Sequence, residues 1–162
     1  MAVGTDDGAL QLYDISGPVP SPLPNPPSVP PLLSLLQSPG GGAPSISAVS
    51  LSADGSVVVA GGGNLVLIWQ RYGSSWLPRY QLTGHTATVR SVAASAGGLH
   101  AHSGGCDGTV RAWDLTLGVE AGPAMPIGGS SLCATLVAVG ADGRSVAAAG
   151  DGDGMIRFWA SW

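Results

Sequence analysis

The chain has 162 residues with no lysine, a single glutamate (Glu120) and a formal net charge of −4. So sparse and acidic a surface has no basic face on which to hold a phosphate backbone, which argues against a nucleic-acid partner. No apolar run approaches the ~20 residues of a membrane helix, and the first residues lack the basic and apolar regions of a secretory leader.

Asp7-Gly8-Ala9-Leu10-Gln11-Leu12-Tyr13-Asp14 reads as a turn followed by a strand that ends on an aromatic residue. Residues 17–44 hold 10 of the 13 prolines, a composition that favours an extended, unpacked insertion. Leu32 to Leu36 inside it are expected to supply an outer strand. Pro24, Pro27 and Pro30 satisfy a PxxP spacing, but no Arg or Lys flanks them, so an insertion loop is the better reading than a ligand for a peptide-binding domain. From Ser45 the pattern turns to β: Val49 and Leu51 alternate with serines, Asp54-Gly55 turns the chain, and Val57–Ala60 runs into Gly61-Gly62-Gly63-Asn64. Leu65–Trp69 and Trp76–Leu82 are then two further strands.

The stretch Gly84 to Leu115 repeats this plan with more polar groups. Gly84-His85 opens it, Gly97-Gly98 and Cys106-Asp107-Gly108 make its turns, and Trp113-Asp114 closes it. Asp-Gly between β-prone runs is a hairpin signal, expected to place both central residues at positive φ. Thr116 to Ile127 is a loop with a weak outer strand. Leu132 to Trp159 repeats the plan again, with Asp142-Gly143 at one turn and Asp153-Gly154 at the next. The turn aspartate precedes the aromatic residue by six positions at Asp7/Tyr13, Asp107/Trp113 and Asp153/Trp159. Trp69 to Trp113 is 44 residues and Trp113 to Trp159 is 46, a period typical of four-stranded propeller blades.

On these residues the chain resembles the WD40-repeat family. The resemblance implies an all-β fold: a partial β-propeller of about three and a half four-stranded antiparallel blades. The blades would fall at 1–15 (the end of a first blade), 45–82, 83–127 and 128–162, the last lacking its final strand, with 16–44 as the insertion. It also implies that His85, Ser103, Asp107 and Trp113 form a buried, structural hydrogen-bond network. Tyr13, Trp69 and Trp159 would be the anchors of the other repeats. The second blade has Ser38-Pro39 for Gly-His, Asn64 for the turn aspartate and Ala60 for Ser103, so no such network is expected there.

Family likeness points to a scaffold that binds other proteins or peptides. Asp7, Asn64, Cys106, Asp151 and Asp153 fall in equivalent turns, expected on one rim, and their acidity favours a basic partner. No catalytic residue, cofactor or metal ion is expected. Ser, His and Asp occur together in one repeat only, with nothing to form an oxyanion hole. Asp151-Gly152-Asp153 lacks the twelfth-position glutamate of a calcium loop, and His100, His102 and Cys106 lack a fourth zinc ligand. Cys106 and Cys133 are expected to be free thiols, as in a reducing compartment, and the location to be cytoplasmic or nuclear. The rival readings are a propeller enzyme and a truncated, non-functional product, because both ends fall inside strand patterns. Open blade edges are expected to favour self-association.

Overall fold

In a computed structural model, residues 2–4, 10–14, 21–22, 45–128 and 132–160 are described. They form fifteen antiparallel strands and no helix among the described residues. β1 (Ala2–Gly4), β2 (Leu10–Asp14) and β3 (Ser21–Pro22) make a first sheet, with Tyr13 paired to Pro22. The second sheet is β4 (Ile46–Leu51), β5 (Val57–Gly62), β6 (Leu65–Tyr72) and β7 (Ser75–Leu82), in that order. The third runs β8 (Val89–Ala94), β9 (His100–Gly105) and β10 (Thr109–Asp114). Both β11 (Val119–Glu120) and β12 (Met125–Pro126) lie on the outer side of β10. The fourth is β13 (Ala134–Val139), β14 (Ser145–Gly150) and β15 (Ile156–Ala160). Asp7 and the expected outer strand at 32–36 lie outside the described residues.

The Asp-Gly turns use a geometry other than the expected one. Only the glycine is at positive φ: 67° at Gly55, 74° at Gly108 and 72° at Gly143, with no non-glycine residue in that region among the described residues. Gly55, Gly108 and Gly143 donate back to the carbonyls of Ser52, Gly105 and Gly140 three residues earlier. This is a type I turn ending in a left-handed glycine. The aspartate contributes through its side chain. Asp54, Asp107 and Asp142 each accept the N–H two residues on, at 3.0, 3.1 and 2.9 Å. The aspartate caps the turn and the glycine supplies the conformation.

The sheets stack face to face, and strand alternation decides which residues meet. Val57, Val59, Val66 and Ile68 leave one face of the second sheet and pack on Val89, Val92, Ala101 and Trp113 of the third. Val58, Ala60, Leu67 and Trp69 point the other way. Ala93, Val110 and Ala112 continue from the third sheet onto Ala134, Val137, Val146 and Ala148 of the fourth. Burying each Val or Ile side chain is worth about 1.5–3 kcal/mol, so these interfaces dominate the stability of the stack.

The first strands of the second, third and fourth sheets carry a bulge at the same place, at Ser47, Arg90 and Thr135. Next to it, serines reach across to the following sheet. Ser47 donates to the Val89 carbonyl, while Ser50 accepts the Ala94 N–H at 3.0 Å and Ser91 accepts the Val137 N–H at 2.9 Å. A glycine on the second strand lets the sheets come this close. A Cβ on Gly104 would stand 2.7 Å from both the Cβ and the backbone oxygen of Ala134, and one on Gly61 would stand 2.8 Å from Val89. Backbone cannot yield as a side-chain tip can, so Gly104→Ala is expected to cost about 2 kcal/mol, within the usual 1–3 for overpacking. Urea denaturation would measure it, and an unchanged midpoint would refute the contact.

Candidate functional site: the polar chain and the turn rim of the third sheet

His85 enters from the loop before β8, Ser103 sits in the middle of β9, Asp107 caps the β9–β10 turn and Trp113 lies on β10. The structure brings the four into one chain. The indole Nε1–H of Trp113 donates to Ser103 Oγ at 2.8 Å. Ser103 Oγ lies 2.8 Å from His85 Nε2, and His85 Nδ1 lies 2.9 Å from Asp107 Oδ2. Ser103 is fully buried, and so is the His85 side chain.

Burial pushes the His85 imidazole below its ordinary pKa, outweighing the pull of Asp107 in the other direction. For Asp107, burial pushes the carboxyl up. Hydrogen bonds from Thr109, the Thr86 N–H and His85 together outweigh it and hold the pKa low. A neutral imidazole beside an ionised carboxylate has one consistent proton arrangement: Nδ1–H donates to Asp107, and Nε2 accepts from the Ser103 hydroxyl, which accepts from Trp113. Every donor in the chain is used once. The hydroxyl that would act as a nucleophile is already spent on the indole and the imidazole.

The rim residues sit in equivalent turns between second and third strands. Asn64 is exposed, and its side-chain amide donates to the His85 carbonyl at 3.2 Å. Asp153 is ion-paired with Arg157 at 2.6 Å, so its charge is largely answered within its own hairpin. Asp151 is exposed and accepts the Cys133 N–H at 2.7 Å. Among the described rim residues, Asp151 is thus the exposed carboxylate outside an ion pair.

Cys106 differs most from expectation. It is joined to Cys133 in a disulfide, and the described residues contain no free cysteine. The reason lies in the stacking. The turn after β9 meets the segment leading into the first strand of the next sheet, and the Asp151 N–H bonds the Cys133 carbonyl much as the Cys106 N–H bonds that of Thr88. Two cysteines far apart in sequence thus become neighbours across a sheet interface. Their pairing removes thiol count as an argument for a reducing compartment.

His102 belongs to the incomplete zinc set of His100, His102 and Cys106 in the sequence. It is buried on the onward face of β9, and neither ring nitrogen has a hydrogen-bond partner. Burial, with the nearby charge of His100, lowers its pKa to about 4. No group of three metal-ligating side chains forms among the described residues.

Comparison with known proteins bears on these repeats. Residues 33–70 and 76–114 match the family model described as WD domain, G-beta repeat. The chain carries WD40 repeats. Two curated relatives, both named small ribosomal subunit protein RACK1, come from Medicago sativa and Glycine max. Each is 35% identical over an 81-residue alignment that covers 45% of this chain. The alignment covers 24% of each relative's length. The second family match ends at Asp114, so all four members of the polar chain lie within a WD40 match, and the disulfide leaves it at Cys133. No helix of the described residues is long and apolar enough to cross a membrane.

Proposed function

We propose that this WD40 chain is a non-catalytic scaffold for protein–protein contacts, with the polar chain of the third sheet serving the fold and the turn rim serving partners. One observation carries the reading: the Ser103 and His85 side chains that could do chemistry are buried, and their protons are committed along one chain that runs from the Trp113 indole N–H through Ser103 and His85 to the Asp107 carboxylate. A substrate would have to unfold the blade to reach them. The ribosomal names of the relatives favour a cytoplasmic setting for such a scaffold. A chain without lysine and with net charge −4 is poorly suited to gripping RNA directly, so contact through protein partners is the better reading.

The rim would select basic segments, with Asn64 offering an amide and Asp151 a carboxylate beside the Cys106–Cys133 bridge. An array of arginine-rich and acidic peptides probed with the full chain tests this. Basic peptides are expected to bind, with the signal weakened by salt and reduced several-fold by Asp151→Asn, which keeps the acceptor for Cys133. Equal signal on basic and acidic peptides, or none above background, would overturn it.

A further inference from the structure

The fourth sheet presents a face unlike those of the sheets before it. Strand registry fixes the equivalent positions. Toward the next sheet, the second sheet offers Ala48, Gly61 and Val66 in one row and Ser50, Val59 and Ile68 in the next. The third offers Ser91, Gly104 and Val110, then Ala93, His102 and Ala112. The fourth offers Leu136, Ala149 and Ile156, then Ala138, Ala147 and Phe158. In the earlier sheets the third-strand members of these rows are at most 4% exposed, whereas Ile156 is 65% and Phe158 76% exposed. Leu136 is 63% exposed.

Two features that admit a neighbouring blade in the other sheets are missing here. The glycine that lets the next first strand approach is Ala149. The serine that clasps the next sheet is replaced by Leu136 or Ala138. What remains in these two rows is apolar, with no charged or hydroxyl side chain, and the uncharged Ser145 lies at their edge. A cleft of ≈ 500 Å³ opens where Ala138, Ala147 and Phe158 meet, with Ser145 in its lining.

We propose that this face pairs with the same face of a second copy of the chain. Continuity with the stack argues for a sheet as the occupant, since every other onward face among the second and third sheets is covered by one. Loss of the glycine and the serine clasp argues against another blade in the same close register. An uncharged apolar surface is complementary to itself, and a two-fold axis lets Leu136, Ile156 and Phe158 of one copy meet those of the other at ordinary sheet-packing distance. The pairing leaves the turn rim open, so it stands or falls separately from the scaffold reading.

Sedimentation equilibrium of the full chain over two decades of concentration is the test. Wild type is expected at twice the 16.0 kDa chain mass. Ile156→Asp with Phe158→Asp is expected to return it to single mass, with circular dichroism unchanged. Leu117→Asp, at an exposed position of the third sheet's outer loop, is expected to stay dimeric. Should the double variant lose its β signal, Phe158→Ser decides instead, with a weakened dimer expected. A monomeric wild type would overturn the proposal, as would a dimer that survives the substitutions in a folded chain. Basic-peptide binding by the monomeric variant separates this outcome from failure of the rim.

Discussion

Replacing Ser103 by Ala is expected to cost about 3 kcal/mol of folding stability, out of proportion to the loss of one hydroxyl. The substitution removes the acceptor of the Trp113 indole N–H and the donor to His85 Nε2 together. Leaving a buried polar group unpaired costs about 1–3 kcal/mol, and two are stranded here, both away from water. The second sheet gives an internal control. Ala60 already stands in that position beneath Trp69, in an apolar cluster with Val58 and Leu67. Ala60→Ser would add a hydroxyl with no imidazole to receive it, and is not expected to stabilise the chain. Chemical denaturation of Ser103→Ala, His85→Ala and the double variant checks the coupling. Members of one network should give costs well short of additive, while rim binding in the folded fraction stays as in wild type.

The second large effect is on acid stability. His102 has an ordinary pKa of 6.5 when unfolded and about 4 when folded. As pH falls below about 6.5 the unfolded chain takes up a proton that the folded chain refuses, so folding weakens until both forms are protonated near pH 4. At 1.36 kcal/mol per unit, that window removes about 3 kcal/mol. His102→Val, which copies Val59 at the equivalent position, is expected to flatten the pH dependence by about this amount. At neutral pH it is expected to raise stability by about 1 kcal/mol, since two unpaired ring nitrogens leave the interior. His85 and the turn aspartates keep depressed values and the same sign, so the variant retains part of its acid sensitivity. Urea midpoints from pH 4 to 7 would show whether the two curves draw apart toward low pH, as expected, or draw together there, as the opposite sign would require.

Much of this architecture could be read from residue order because each repeat states its own corners. The spacing from Asp107 to Trp113, and its repetition at Asp153 and Trp159, marks turns and third strands without help from the rest of the chain. The four polar-chain residues were legible for the same reason: each occupies a fixed place in the repeat. What sequence did not reveal depends on distances between repeats. Nothing local in Cys106 or Cys133 says that the β9–β10 turn meets the lead-in to β13. The sheets close to that distance because Gly104 lacks a side chain and Ser91 bonds across, and neither has a signature beyond being small. Asp-Gly points to the wrong kind of turn because the pair alone does not distinguish two positive φ angles from one. The three side-chain caps at Asp54, Asp107 and Asp142 make that choice. Alternating serines in β4 were visible, but their role as clasps belongs to the neighbouring sheet.

Hydrogen exchange at the Trp113 indole, followed by NMR as denaturant is added, puts the central claim to the most direct trial. If the polar chain exists to hold the third sheet folded within the stack, that proton should exchange only when the whole chain unfolds, with a denaturant slope equal to the global one. Exchange as fast as from an exposed indole, or by a local opening insensitive to denaturant, would mean that Ser103 and His85 are free for other work and that the fold does not depend on them.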